Sequence, residues 1–97
     1  MATAEKQVTI PNKFGLHARP AMQFVELANR YTSKVEVSNG DLSVDAKSIM
    51  SVMRLAATQG TVLHVVADGD DADDAVAALV ELVESGFGEM EGDTDNQ

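Results

Sequence analysis

The period of apolar and polar positions changes several times along the chain, and each change marks an element. Residues 7–10 alternate, with Val8 and Ile10 on one side, which predicts a short strand closed by the Pro11-Asn12-Lys13-Phe14-Gly15 loop. From 18 to 30 the spacing becomes helical: Ala21, Phe24, Val25 and Ala28 share a stripe flanked by Met22 and Leu27. Residues 34–38 and 42–45 alternate again, and the Asn39-Gly40 pair between them is a strong hairpin signal, because both residues tolerate positive φ. Residues 48–56 (SIMSVMRLA) read as a short apolar helix with Ser48 at its cap. Gly60 ends that segment, and 61–67 (TVLHVVA) is rich in β-formers. The run DGDDADD then leads into a third helix through 75–83, ending near Ser85-Gly86, and acids at its start complement the positive helix end. The order β-α-β-β-α-β-α predicts an α+β fold, with helices on one face of an antiparallel sheet and the other face toward solvent. One domain is expected over 1–88, followed by an acidic, frayed tail at 89–97.

Composition narrows the classes. A chain of 97 residues buries roughly 65% of the surface it exposes when unfolded, enough for one core without staples. It has no cysteine, so disulfides and thiolate metal sites are excluded. No apolar segment approaches the ~20 residues of a membrane helix and the N-terminus does not read as a signal peptide, which predicts a cytoplasmic protein with no membrane insertion. The net charge is −9, from 16 acids and 7 bases, which argues against nucleic acid as a partner. Lys13, Arg19, Arg30, Lys34, Lys47 and Arg54 all precede residue 55, so a locally basic face is compatible with the acidic total and would draw acidic proteins. The aspartates of 68–74 lack EF-hand spacing. They read as a solvated helix N-terminus, and no metal or cofactor is expected.

The candidate chemistry lies in GLHARPA, residues 15–21. If the first helix starts at Ala18, His17 is beside its N-cap, where the leading backbone amides have no intrahelical acceptor. Pro20 removes one of these at no cost in that turn. The amides of Ala18 and Arg19 and the helix dipole make an anion site, and the Arg19 guanidinium suits a bidentate grip on phosphate oxygens. A positive helix end favours the uncharged imidazole, and an uncharged ring nitrogen is a nucleophile. Attack on a phosphoryl group would place the transferred charge where donors already point.

GLHARPA resembles the active-site signature of the HPr family, the histidine-containing phosphocarriers of the phosphoenolpyruvate-dependent phosphotransferase system (PTS). Lys47-Ser48-Ile49-Met50, continuing as Ser51-Val52-Met53, is similar to the family's second signature, and the element order matches its open-faced β-sandwich, a four-stranded antiparallel sheet with three helices on one face. The resemblance spans about residues 5–88. It implies that His17 is phosphorylated on Nδ1 by enzyme I, which draws on phosphoenolpyruvate, and that it passes the phosphate to a histidine of an EIIA-type protein. Arg19 and the Ala18 amide would hold the phosphate; Pro20, Ile49, Met50 and Met53 would dock partners; and Ser48 would be the site of an HPr kinase/phosphorylase. The family's precedent is a monomer and a carrier rather than a complete enzyme. Ser51 stands where glycine is common. The loop before Gly15 is one residue longer than in many sugar-system members, which with Ala21-Met22 and 84–87 resembles the nitrogen-regulatory branch, whereas KSIM points the other way.

Other readings compete. A regulatory interaction module would act mainly through Ser48 and the apolar patch, and an unrelated α+β domain would merely bind an anion at 15–20. His64, between Val62 and Val66 in an alternating strand, is expected on the open sheet face as a structural residue.

Overall fold

The computed structural model describes residues 2–88, which form β1 (Thr3–Thr9), α1 (Ala18–Ala28), β2 (Lys34–Ser38), β3 (Ser43–Asp45), α2 (Ile49–Met53), β4 (Val62–Asp68) and α3 (Ala72–Glu84), with a closing 3-10 turn at Gly86–Gly88. The expected tail at 89–97 lies outside the described residues. The strands make one antiparallel sheet in the order β1-β4-β2-β3. Strands β1 and β2 therefore run parallel with β4 between them, and α1 carries the chain across. Alternation explains the layers. Val8, Val35, Val37, Val44, Leu63, Val65 and Ala67 point to the helices and are buried. The stripes of α1 (Pro20, Ala21, Phe24, Val25, Ala28) and α3 (Ala72, Ala75, Val76, Leu79, Val80, Val83) cover them, and Val52 fills the gap from α2.

Several boundaries moved for identifiable reasons. Strand β1 starts at Thr3 because it pairs with β4 along its whole length, from Thr3↔Asp68 to Thr9↔Val62. Its inward positions Ala4 and Lys6 are not large apolar residues, so the alternation there was faint. Helix α1 stops at Ala28, where the next amides, Arg30 N and Tyr31 N, turn to Leu27 O and Ala28 O three residues back and the Asn29 side-chain amide donates to Val25 O (2.9 Å). Helix α2 lasts only five residues; Arg54 caps it, and Ala56 takes a left-handed φ of 47°.

In the acidic run, Asp68, Asp70, Asp73 and Asp74 are exposed as expected of a solvated helix end, and Asp71 departs from it. Asp71, the N-cap of α3, accepts the backbone amides of Thr32 (2.8 Å) and Ser33 (2.9 Å) and the hydroxyls of both. Led by the Ser33 hydroxyl and the Thr32 amide, these donors lower its carboxyl from 3.8 to about 2. Asp71 thus fastens the α1–β2 loop to the head of α3. His64 does lie on the open face, where its Nε2 meets Glu5 Oε1 at 2.6 Å across the β1–β4 pair.

Candidate phosphoryl-acceptor site

The segment entering α1 is held against the segment following α2. Asn12 is buried, and its Nδ2 donates to Gly15 O (2.9 Å) while Gly15 N donates to Asn12 O (3.2 Å). Gly15 has φ +65°; a Cβ there would lie 2.8 Å from Thr58 Cα and closer still to Ala57 O. Only glycine fits. Leu16, also buried, donates its amide to Ala57 O (2.9 Å). Further bonds run from Ile10 N to Thr61 O (2.9 Å), from Gly60 N to Ile10 O (2.8 Å) and from Gln59 Nε2 to Pro11 O (3.0 Å). This two-stranded frame fixes the direction in which the next residue leaves.

That residue is His17. Its backbone is extended (φ −81°, ψ −171°), and its carbonyl accepts the first helical bond, from Ala21 N at 2.9 Å. The imidazole does not cap the helix, and the residue is exposed. Ala18 and Arg19, also exposed, begin the helix, so their amides head it without intrahelical acceptors. The phosphate-site residues named from the sequence are thus gathered at one helix end. Pro20 is different: its side chain is fully buried, so it packs the first turn and offers no surface to a partner, contrary to the docking role expected.

Phe14 was missed by the sequence reading. Its ring is half exposed and meets the His17 imidazole edge to face, with centroids 6.0 Å apart and planes at 84°. Lys13 Nζ lies 5.7 Å from the Phe14 centroid. A loop aromatic between lysine and glycine has no periodicity to reveal it.

Helix α2 lies antiparallel beside α1. Its far end reaches Leu16 through Ala57, whereas its start meets the end of α1: Asn29 Nδ2 donates to Lys47 O (3.1 Å), and Lys47 Nζ donates to Tyr31 O (2.7 Å). Ser48 caps α2, its hydroxyl accepting Ser51 N at 3.3 Å. Met50 (78% exposed) and Met53 (45%) point outward, Val52 is buried, and Ile49 is partly packed on the core. Met22, 52% exposed on α1, is a second residue that the sequence reading had not placed on the surface. Ser48 is therefore separated from His17 by about the length of α1, 11 residues or roughly 16 Å at 1.5 Å per residue.

Comparison with known proteins places this arrangement. Residues 4–85 match the family model described as PTS HPr component phosphorylation site. The phosphocarrier protein HPr of Pseudomonas aeruginosa is 51% identical over 86 residues, 88% of this chain and 96% of that protein. The crystal structure of an HPr from Thermoanaerobacter tengcongensis superposes with a TM-score of 0.85 at 48% identity, covering 89% of this chain and 97% of its own. A crystal structure described as an HPr dimer from the same organism gives 0.72 at 49% identity, with coverages of 87% and 99%. The family's precedent is thus not uniformly monomeric. The chain belongs to the HPr family: it is a phosphocarrier of the phosphotransferase system, a carrier of phosphoryl groups rather than a catalyst. Among the described residues, no helix is long and apolar enough to cross a membrane.

Proposed function

We propose that His17 is the phosphoryl acceptor, that phospho-enzyme I is its donor and that an EIIA-type protein receives the group in the cytoplasm. One observation carries this reading: His17 is exposed at the N-cap of α1, directly before the exposed Ala18 and Arg19 whose amides head the helix, and its side chain makes no cap hydrogen bond. In the forward transfer, the lone pair of a ring nitrogen attacks phosphorus as the bond to the donor breaks. The proton on the other ring nitrogen passes to water, and the reverse occurs on delivery. Backbone amides and a guanidinium serve the charge spread over the phosphoryl oxygens. Met50 and Met53, with the exposed edge of Ile49, form the docking face; methionine adapts to more than one partner. Ser48 is the regulatory site, open to a kinase at the head of α2.

The test is incubation with phosphoenolpyruvate and enzyme I. The wild-type chain should gain one acid-labile phosphate, and His17→Ala should gain none. Label retained by the alanine variant would reject His17.

A further inference from the structure

Transfer through a histidine asks two things of the imidazole. It must present one nitrogen in a fixed direction, and once phosphorylated it must outlast the search for the next partner. The frame from 10 to 16 fixes the backbone of His17, and the rotation of its ring is set by what touches the ring. Among the described aromatic contacts, the one that reaches the ring comes from Phe14.

We propose that Phe14 is a positioning residue for the phosphocarrier histidine, holding the His17 ring edge to face and covering one side of it from water, with Lys13 steadying Phe14 from beyond. The proposal rests on His17 being the acceptor. The centroid separation of 6.0 Å and the angle of 84° fall within the favourable range for a T-shaped aromatic pair. Lys13 Nζ, 5.7 Å from the Phe14 centroid, is within cation–π reach. The loop also has little freedom to carry Phe14 away, since Asn12 and Gly15 bond to each other on either side of it. Phe14 remains 48% exposed, so it contributes little to the core.

The experiment compares the whole protein with Phe14→Leu, which keeps apolar bulk without a ring, and Phe14→Tyr, which keeps the ring. Each is phosphorylated chemically with phosphoramidate and followed by ³¹P NMR. The Leu variant should hydrolyse its phosphohistidine about three- to tenfold faster, the range corresponding to the loss of one aromatic pair. Its His17 ring protons should lose their ring-current shift in the unphosphorylated protein. The Tyr variant should restore both, and thermal midpoints should agree across the three. Unchanged lifetimes and ring-proton shifts in the Leu variant would overturn the proposal. So would a raised KM toward enzyme I with an unchanged lifetime, which would make Phe14 part of the docking face instead. Failure of the wild-type chain to form phosphohistidine at His17 is a separate result, and it would remove the acceptor assignment itself.

Discussion

Substituting alanine at Gly15 tests whether the frame around the acceptor loop is as tight as its hydrogen bonds indicate. Three costs combine. The left-handed φ of +65° costs an L-residue about 1–2 kcal/mol. The added methyl has no space, lying 2.8 Å from Thr58 Cα with Ala57 O closer, and forcing an atom into a packed site costs about 1–3 kcal/mol. Relief requires the loop to withdraw from Ala57, which weakens the Leu16 N–Ala57 O bond of 2.9 Å at about 1 kcal/mol. The sum is about 3–6 kcal/mol, a large part of the stability of a domain of this size.

Gly60 supplies the control. It also has a positive φ, +90°, but a Cβ there meets nothing within 4 Å. Gly60→Ala therefore carries only the conformational cost, about 1–2 kcal/mol. Urea unfolding followed by far-UV circular dichroism compares the two. With a slope of about 1 kcal/mol per M for a chain this short, the midpoint of Gly15→Ala should fall by about 3 M or more, and that of Gly60→Ala by about 1–2 M. Equal shifts in the two variants would refute the packing argument and leave only backbone conformation. A further drop in phosphoryl acceptance by Gly15→Ala, under conditions where it stays folded, is expected because the displaced loop carries His17 with it.

Three other perturbations are informative. Asp71 has its carboxyl lowered to about 2 in the fold by the Ser33 and Thr32 donors, so its stabilising effect is complete above the unfolded value near 3.8 and is lost as pH falls toward 2; acid titration of Asp71→Asn should show a stability deficit against wild type that shrinks across that interval. Ser48→Ala removes the cap of α2, and because the Ser51 N–Oγ distance is long at 3.3 Å, chemical denaturation should show a loss at the low end of capping energies, about 0.5 kcal/mol. Ala56→Gly relieves a left-handed φ of 47° worth about 1–2 kcal/mol against about 0.4–1 kcal/mol of added unfolded-state entropy, so the thermal midpoint should rise by a few degrees.

Much of this molecule is legible from its sequence because each element keeps a clean period. Strand β2 occupies the predicted 34–38, and the start of α1 at Ala18 puts His17 at the cap. What escaped the sequence reading depends on bonds between segments distant in sequence. The Asn29 side-chain amide turns back to Val25 O at the end of α1, a choice indistinguishable in sequence from two more helical residues ending at Arg30. Asp71 is one of five aspartates between 68 and 74, and only the position of Thr32 and Ser33, nearly forty residues earlier, singles it out. Pro20 was placed among the docking residues by the family resemblance, yet its side chain is fully buried in the first turn of α1. Phe14 follows the same logic in reverse: an apolar residue that a composition argument would bury is left outside, against the acceptor ring.

The antiparallel placement of α1 and α2 constrains how the two proposed phosphate-bearing residues influence each other. Ser48 belongs with Lys47 and the end of α1, and His17 with Ala57 and its beginning. Their separation of roughly one α1 length, about 16 Å, exceeds the Debye length of about 8–10 Å at ordinary ionic strength. Both sites face solvent, so a phosphate on Ser48 has little direct electrostatic hold on a phosphoryl group at His17. Its influence has to pass through what lies between them, the exposed Met50 and Met53 on which a partner would rest. Regulation of the kind proposed at Ser48 would thus be a matter of which proteins approach. On the proposal made for Phe14, the lifetime of the carried phosphate would be set at the other end of the helix, by the residues that touch the imidazole.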